Sequence, residues 1–468
     1  MGFVTLALAL LSCAGLAAGL QPSSILLRPG EPDVFGPHPL VPPGAVPSRA
    51  NRPLHNQGLV QVAYSDPATG VYLGSPSIAR LNPDILLISH DFFPQYGKEK
   101  ATEVLSSKAG GASWQPLALV PRIFWATLFV HRGAVYLLGT DDDAGANGVS
   151  MARSLDGGIT WNQSVVLRPP PGCSFATGTV PVLLQGGFLY RSMEYWCGPT
   201  CSWPQGYIAT LISAPAGGDA DLLAPGAWRM ARGVQFDGPS MLPAWMPAPV
   251  VSGGYLEGSA VRLPGGTGVG LLLRCRVYDA QSRTYTLQHA CFFTLGPSPV
   301  LSDAPATRGA AGGGNSTVWH QGSGDGGMLR WQGFVDLPGG GNKFVCRWDP
   351  FTRRYLALTN PSIDRYGANP DARNILVLAH SPNLRDWRVA TTLLVPHDGM
   401  PWEESLWKTG YQYADWIVDG DDIVASIRTA YDGANSFHDS NMITFKRIER
   451  YRKYLVDPVV EEEAAATA

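Results

Sequence analysis

Several segments of the sequence carry side chains that could perform nucleophilic and acid–base chemistry. A carboxylate that takes the proton of a phenol makes a tyrosine nucleophilic, and arginine forks bind a carboxylate ligand through paired hydrogen bonds. Histidine exchanges protons near neutral pH. The residues of these types that we select are Glu257, Arg274, Arg276, Arg373, Tyr411, Arg428, Asp91, His90, His131 and His438. Because they are spread over most of the chain, the fold must gather them.

One motif indicates the element that could do this. Residues 154–161 read Ser-Leu-Asp-Gly-Gly-Ile-Thr-Trp and match the Asp-box pattern, S-x-D-G-G-x-T-W. In a β-propeller this motif forms the hairpin turn between the third and fourth strands of a blade. The Asp can accept backbone N–H groups across the turn, the glycines permit positive φ, and the Trp packs between blades. The motif therefore indicates structure and not catalysis.

Degenerate copies of the motif recur. One covers residues 107–114, with Ala109 in place of the Asp, and its Trp114 precedes Trp161 by 47 residues, which is about one blade. Looser copies cover 323–331 and 381–387. The 170 residues between Trp161 and Trp331 leave room for three to four blades. The series predicts an all-β propeller with six blades, or alternatively seven.

Composition agrees with this fold. The 468 residues include 54 Gly, 39 Pro and 14 Trp, and only 16% are charged, which is typical of short strands joined by tight turns. Apolar runs bounded mostly by Gly, Pro, Asn or Asp predict strands at 58–64, 85–89, 134–138, 180–184, 268–277, 344–348, 375–379 and 423–427. A net charge of -3 provides no basic surface, so we expect no nucleic-acid partner. No metal-ligand spacing occurs, so we expect neither a metal nor a cofactor.

We divide the chain into four parts. Residues 1–19 are apolar and end in small residues, which predicts a signal peptide, with an uncleaved anchor as the alternative. A Pro-rich segment (20–54), the propeller (55–454) and a disordered acidic tail (455–468) follow. Within the propeller, residues 297–327 read as a surface insertion. We expect a secreted protein with no membrane attachment after signal cleavage, and the sequons at Asn162 and Asn315 agree with a glycoprotein.

The cysteine count also suits an oxidising compartment. Cys13 would leave with the signal peptide, and six cysteines remain. Cys197 and Cys201 look like a bridged loop. The other four, left to pair in some order, are Cys173, Cys275, Cys291 and Cys346.

The candidate residues and the Asp-boxes together resemble the sialidase superfamily, whose members combine an arginine triad with a Tyr nucleophile, a Glu partner and an Asp acid. Residues 255–276 look like the blade that carries the Glu and the second Arg. Residues 359–376 are similar to the blade with the third Arg, and 410–423 to the segment with the Tyr. The resemblance implies that Glu257 activates Tyr411, and that Arg274 or Arg276, with Arg373, binds the carboxylate of a sugar.

The sequence departs from the sialidase pattern at two positions, the first arginine and the acid. Sialidases begin with Arg-Ile-Pro, which supplies the first Arg, whereas residues 74–78 here read Gly-Ser-Pro-Ser-Ile. The first Arg is therefore missing. The family's acid lies on a loop ahead of the first Asp-box, which makes Asp91 a candidate acid. Its neighbour His90 stands where sialidases usually have another residue.

Polysaccharide lyases also place His, Tyr and Arg around a carboxylated sugar. There Arg neutralises the uronate, and His or Tyr removes the C5 proton before β-elimination. Segments 74–93, 125–131 and 428–439 look like a group of secreted sialidase-like proteins, which adds His131, His438 and Arg428 to the candidates.

We predict a secreted sialidase-like exo-glycosidase that removes a carboxylated sugar from an acidic glycan or polysaccharide. The alternatives are a uronate lyase that uses His90 and Tyr411, and a glycan-binding propeller without catalysis.

Overall fold

The computed structural model describes residues 54, 57–93, 100–141, 147–198, 204–218, 220–237, 241, 250–279, 284–286, 289–296, 327–363, 366, 369, 371–396 and 400–455. The strands, in chain order, are β1 (Leu59–Tyr64), β2 (Tyr72–Asn82), β3 (Ile85–Phe93), β4 (Ala101–Ser107), β5 (Gln115–Pro121), β6 (Phe124–His131), β7 (Ala134–Thr140), β8 (Val149–Ser154), β9 (Asn162–Leu167), β10 (Cys173–Ala176), β11 (Leu183–Gln185), β12 (Phe188–Cys197), β13 (Ile208–Pro215), β14 (Arg229–Met230), β15 (Val234–Gln235), β16 (Val250–Arg262), β17 (Val269–Asp279), β18 (Thr284–Thr286), β19 (His289–Gly296), β20 (Met328–Asp336), β21 (Val345–Asp349), β22 (Arg354–Thr359), β23 (Leu376–Ser381), β24 (Arg388–Leu394), β25 (Gly410–Asp419), β26 (Asp422–Ala430) and β27 (Met442–Ile448). A helix, α1 (Trp402–Lys408), and two 3-10 turns, Pro67–Thr69 and Tyr451–Tyr454, accompany them.

These strands form six antiparallel sheets, the blades of a propeller. Blades 1 to 5 contain β2–β5, β6–β9, β10–β15, β16–β20 and β21–β24. Blade 6 contains β25–β27 and takes β1 as its outer strand, with Leu59 opposite Lys446 and Tyr64 opposite Met442. The first strands of blades 1, 2, 4, 5 and 6 contact one another around the axis. The prediction of a six-bladed all-β propeller is confirmed, and the seven-bladed alternative is wrong.

The core consists of apolar clusters that lie between blades. The cluster between blades 1 and 2 contains Leu87 and Val135, for example, and the cluster between blades 5 and 6 contains Leu378 and Trp416. Burial of apolar surface stabilises by roughly 25 cal/mol per Å². Because each blade buries its faces against two neighbours, the stability of the fold depends on the closed ring.

The motif at 154–161 forms the predicted turn, between β8 and β9. The Asp156 carboxylate accepts the backbone N–H groups of Ile159 and Thr160 at 3.1 and 2.9 Å. Gly157 and Gly158 have φ of 81° and 102°, a conformation that favours glycine. Trp161 packs on the cluster between blades 1 and 2.

Two of the degenerate copies form turns at the same place in their blades. In blade 1 the Ser107 hydroxyl accepts from the Gly111 N–H at 3.0 Å, without a carboxylate. In blade 5 the Asn383 side chain replaces Asp and accepts two backbone N–H groups. Residues 323–326 of the copy at 323–331 lie outside the described residues, and Trp331 is inside β20.

The interval between Trp161 and Trp331 holds two blades, blades 3 and 4, instead of the three to four that we predicted. Sequence spacing overestimated the number because long connections, such as residues 297–326, interrupt these blades. Those residues, which include Asn315, lie outside the described part of the chain, as do residues 1–53 and the tail from 456.

The structure also corrects the cysteine pairing. Cys197 is bonded to Cys173, its register partner across β10 and β12, and not to Cys201, which lies outside the described residues. A second disulfide joins Cys275 to Cys291, and Cys346 is a buried free thiol. Each bridge therefore lies within one blade. Among the described residues, no helix has the length and hydropathy to cross a membrane.

The first strand of four blades carries a β-bulge, and the bulges lie around the cavity that is described below. The bulge residues have φ between 51° and 56° and are Ser75, Trp125, Glu257 and Tyr413. A left-handed φ costs a non-glycine residue about 1–2 kcal/mol. Such strain persists where the surroundings fix the backbone and is common at functional sites.

Polar side chains two positions after each bulge connect neighbouring blades. The Ser77 hydroxyl accepts the Leu128 N–H at 3.0 Å, and the Ser259 hydroxyl accepts the Cys346 N–H at 3.0 Å. Asp415 of blade 6 accepts the Ile78 N–H of blade 1 at 3.0 Å and so joins the two ends of the ring. These hydrogen bonds between blades fix the backbone next to each bulge.

Candidate active site

The bulges surround a cavity at one end of the propeller axis, with about 790 Å³ of space that is partly open to solvent. Its walls contain three guanidinium groups, two carboxyl groups, an imidazole and several aromatic rings. These residues are Arg274, Arg373, Arg428, Glu194, Glu257, His438, Tyr72, Phe93, Trp125, Tyr207 and Tyr413. A concave site in which a few polar groups converge among aromatic rings is typical of small-molecule binding.

A tyrosine, a glutamate and an arginine are in direct contact in this cavity. The Tyr413 hydroxyl donates to Glu257 Oε1 at 2.9 Å. Arg274 Nη1 donates to Glu257 Oε2 at 2.7 Å and lies 3.3 Å from the Tyr413 oxygen. The carboxylate is thus placed to take the phenol proton, while the guanidinium is placed to stabilise a phenolate.

The charge state of Glu257 suits this role. Burial alone would raise its pKa, but the adjacent Arg274 guanidinium, with Lys343 and the hydrogen bond from Tyr413, leaves the pKa below its ordinary value. Glu257 is therefore ionised at neutral pH and can act as a proton acceptor.

The other two arginines of the cavity make no ion pair within the described part of the chain. Arg373 Nη1 donates to the Gln412 side chain, and Arg428 Nη2 donates to the His438 carbonyl oxygen. Both guanidinium groups lie over the Tyr413 ring, at 5.8 and 5.1 Å from its centroid. Neither guanidinium group is hydrogen-bonded to a carboxylate of the described residues, although Asp371 lies near Arg373 and Asp439 near Arg428. Both groups are therefore suited to bind an anion beside Tyr413.

Arg428 also lies where the sequence lacks an expected arginine. A Cβ atom built on Gly74, within the stretch that replaces Arg-Ile-Pro, would be 3.5 Å from Arg428 Nη1. Arg428 comes from β26 of blade 6, next to blade 1. The cavity therefore contains three arginines although the first-blade arginine is absent.

Supporting bonds fix the segment that carries Arg373. The Arg276 guanidinium binds both oxygens of Asp371, two residues before Arg373. The Asn360 amide donates to the carbonyl oxygens of Ile375 and Tyr411, each at 2.7 Å. Of the two alternatives for the second arginine, Arg274 lines the cavity, whereas Arg276 holds this neighbouring segment.

The structure places Tyr411, the predicted nucleophile, outside the lining of this cavity. Tyr411 is 0% exposed, lies in the apolar cluster between blades 5 and 6, and accepts a hydrogen bond from Gln57 at 2.9 Å. Its phenol therefore faces away from the cavity. Tyr413, two positions later and on the bulge, is the tyrosine that contacts Glu257.

Asp91, His90 and His131 also lie outside the cavity lining. The buried Asp91 carboxyl accepts from Thr102 and from the Trp125 N–H, at 2.6 and 2.7 Å. His90 is buried, with Nε2 2.9 Å from Glu103. His131 is at the far end of β6 from Trp125. The structure therefore places Asp91, predicted as an acid, and His90, predicted as a base, apart from the residues that line this cavity.

His438 does line the cavity. Its Nδ1 lies 2.8 Å from Asp439. Burial, together with the nearby Arg428 charge, lowers the pKa of His438 to about 4. The imidazole is therefore neutral at neutral pH.

Sequence reasoning missed Glu194, Trp125, Tyr207 and Tyr413. A usable signal exists for those on bulges, because the bulge residue is followed by a small residue or proline and then by Ser, Thr or Asp. It reads Ser-Pro-Ser at 75–77, Trp-Ala-Thr at 125–127, Glu-Gly-Ser at 257–259 and Tyr-Ala-Asp at 413–415.

Comparison with known proteins supports the fold. No family model and no curated protein matches the sequence. Solved structures do match. The α-L-arabinanase of Penicillium chrysogenum, complexed with arabinobiose, has a TM-score of 0.50 and 12% identity over 84% of this chain and 98% of its own. A Hadza microbial sialidase has a TM-score of 0.50 and 11% identity over 81% of this chain and 66% of its own. At these identities the likeness shows the fold alone, and the chain is a six-bladed β-propeller.

Proposed function

We propose that this protein is a glycoside hydrolase that releases a carboxylated sugar from a glycan through a covalent bond to Tyr413. The observation that carries the proposal is the contact of Tyr413 with Glu257 and Arg274, 2.9 and 3.3 Å from the phenol oxygen, in a cavity with two more arginines. A tyrosine whose hydroxyl is bonded to an ionised carboxylate has the arrangement of an activated nucleophile.

The reaction has two steps. The sugar carboxylate binds the guanidinium groups of Arg373 and Arg428, which brings the anomeric carbon near Tyr413. Glu257 takes the phenol proton as the Tyr413 oxygen attacks that carbon, and the bond to the leaving oxygen breaks as that oxygen takes a proton from an acidic group of the cavity. Water then replaces the Tyr413 oxygen and gives a proton back to that acidic group, and Glu257 returns its proton to the phenol.

The charge of the cavity supports an acidic substrate. The two similar structures are of an arabinanase and a sialidase by name, which supports glycoside hydrolysis as the reaction class. Arabinose carries no charge. Two arginines that are not hydrogen-bonded to a carboxylate in the described part of the chain favour an anionic sugar, since a ligand carboxylate can accept hydrogen bonds from both guanidinium groups.

Two neighbouring tyrosines provide the test. Purified protein is assayed with fluorogenic sialoside, glucuronide and arabinofuranoside substrates, and a uronate polysaccharide is assayed for an unsaturated product. We expect turnover of the sialoside. Tyr413→Phe should lower kcat by at least about a thousandfold, because the nucleophilic oxygen is removed. Tyr411→Phe should keep full activity and lose about 1 kcal/mol of unfolding free energy with its hydrogen bond.

The remaining outcomes contradict the proposal in different ways. Turnover of the arabinofuranoside alone would show a neutral-sugar hydrolase. An unsaturated product would show a lyase, with the neutral His438 as its base. Binding of sialic acid without turnover would show a glycan-binding protein, and full activity of Tyr413→Phe would exclude this nucleophile.

A further inference from the structure

The cavity contains a second carboxyl group next to Glu257. Glu194, on β12 of blade 3, is 0% exposed and lines the cavity. The Ser192 hydroxyl donates to its Oε1 at 3.1 Å, and the Glu257 backbone N–H lies close enough to lower the pKa of its carboxyl group. Its Oε2 is buried without a hydrogen-bond partner. An unsatisfied buried oxygen costs about 1–3 kcal/mol, so its presence beside a cavity calls for a functional explanation.

A carboxyl group in blade 1 provides a comparison. Asp91 accepts the backbone N–H of Trp125, the bulge residue of the next blade, and Glu194 likewise lies beside the backbone of Glu257, the bulge residue of the blade that follows its own. Asp91 lies opposite Gly74 near the start of β2, whereas Glu194 lies opposite Ala176 at the end of β10. Asp91 uses both oxygens for hydrogen bonds, since Thr102 binds the other one. Glu194 instead has a buried oxygen, Oε2, without a hydrogen-bond partner among the described residues.

We infer that Glu194 is the proton donor of the glycosidase proposed above, on which this inference rests. In the first step its carboxyl proton moves to the glycosidic oxygen as the bond from that oxygen to the anomeric carbon breaks. In the second step the Glu194 carboxylate takes a proton from the attacking water. Glu257 holds the Tyr413 proton between the steps, so both carboxyl groups end as they began.

The charge states of the two carboxyl groups fit this division of roles. Burial, together with the charge of Glu257, raises the pKa of Glu194 to about 7, against the opposing effects of its hydrogen bonds and of Arg191. The pKa of Glu257 lies below its ordinary value despite burial, because of Arg274. Near neutral pH one group can therefore donate a proton while the other accepts one.

The test compares Glu194→Gln with the matched control Asp91→Asn in the full-length protein. Each is assayed on sialyllactose, whose leaving alcohol must be protonated, and on an aryl sialoside with an acidic phenol as leaving group. Glu194→Gln should lower kcat/KM for sialyllactose by at least about a hundredfold, and for the aryl sialoside by less than about tenfold. Wild-type activity should fall as pH rises through about 7, and this alkaline limb should be absent in Glu194→Gln. Asp91→Asn should change kcat/KM for neither substrate.

Three results would overturn the inference. Equal losses on both substrates with an unchanged alkaline limb would show that Glu194 only anchors the bulge. Turnover of neither substrate by the wild type would remove the proposed function and, with it, this role. Should Glu194→Gln not fold, infrared titration of Asp91→Asn replaces it, since burial raises the pKa of Asp91 to about 7 as well. The lack, in this variant, of a neutral carboxyl band that disappears near pH 7 would also contradict the assignment.

Discussion

At the scale of single residues, the three arginines of the cavity differ in their partners. Arg274 forms an ion pair with Glu257, so the Glu257 carboxylate largely compensates its positive charge. Arg373 and Arg428 bind only neutral oxygens among the described residues, and the Nε atom of each is buried without a partner. Burial, with the repulsion of Arg274, lowers the pKa of Arg373 to about 10. An anion that entered the cavity would relieve this repulsion.

Arg428→Lys tests this difference, because lysine keeps the positive charge but loses the fork that binds both oxygens of a carboxylate. We expect kcat/KM for the sialoside to fall about tenfold to hundredfold, mainly through KM, as a charge-assisted hydrogen bond is worth about 1.5–3 kcal/mol. The control substrate is the methyl ester of the same sialoside. If Arg428→Lys lowers kcat/KM for the methyl ester as much as for the free acid, Arg428 does not bind the carboxylate.

At the scale of elements, the site depends on bulges in the first strands of the blades. The glycine that follows Glu257 has no room for a side chain, because a Cβ atom on Gly258 would lie 2.5 Å from Leu273 Cδ2 and 2.9 Å from the Leu272 carbonyl oxygen. The bulge that aims Glu257 at the cavity is thus packed directly against the second strand of its blade.

Gly258→Ala should therefore be destabilising and should displace Glu257. We expect a loss of about 1–3 kcal/mol of unfolding free energy, measured in urea, because overpacking forces the strand to move. Activity should fall even where the variant remains folded. Gly217→Ala is the control, since nothing lies within 4 Å of a Cβ atom there. Equal stability of both variants would show that the bulge tolerates displacement.

An element could be predicted from the sequence where the residues that determine its structure are close together in the chain. The turn at 154–161 could be predicted because Asp156 and its glycines form it within eight residues. Glu257, Arg274, Arg373 and Arg428 could be selected by type and resemblance, and the structure gathers them in one cavity. Tyr413 was missed because a bulge changes which side of a strand a residue faces, and packing between blades sets the bulge. The pairing of Cys197 was missed for a similar reason, since it follows from strand register.

At the scale of the whole molecule, one buried carboxylate joins the two ends of the ring. Asp415 of blade 6 accepts from the Ser77 hydroxyl and the Ile78 N–H of blade 1, at 2.8 and 3.0 Å. It also accepts from Arg347 of blade 5 at 2.7 Å. A single residue thus connects three blades at the axis.

Asp415→Ala should weaken the entire propeller and not one blade. We expect a loss of about 3 kcal/mol of unfolding free energy, since the Arg347 charge and the Ile78 N–H both lose their partner. Urea unfolding followed by both fluorescence and circular dichroism measures it. The exposed Asp84→Ala should stay within about 0.5 kcal/mol of the wild type. A loss as small in Asp415→Ala would contradict this role in ring closure.

The pairing of β1 with β27 also has a consequence for how the chain folds during translation. The strand that completes blade 6 is made before every other strand of the propeller, and its partner is made last. While the ribosome synthesises the intervening blades, β1 has no hydrogen-bonding neighbour, and β2 has only one of the two blades against which it packs. Final assembly must therefore wait until the last strand has emerged, and until then the nascent chain exposes the unpaired strand edges from which misassembly begins.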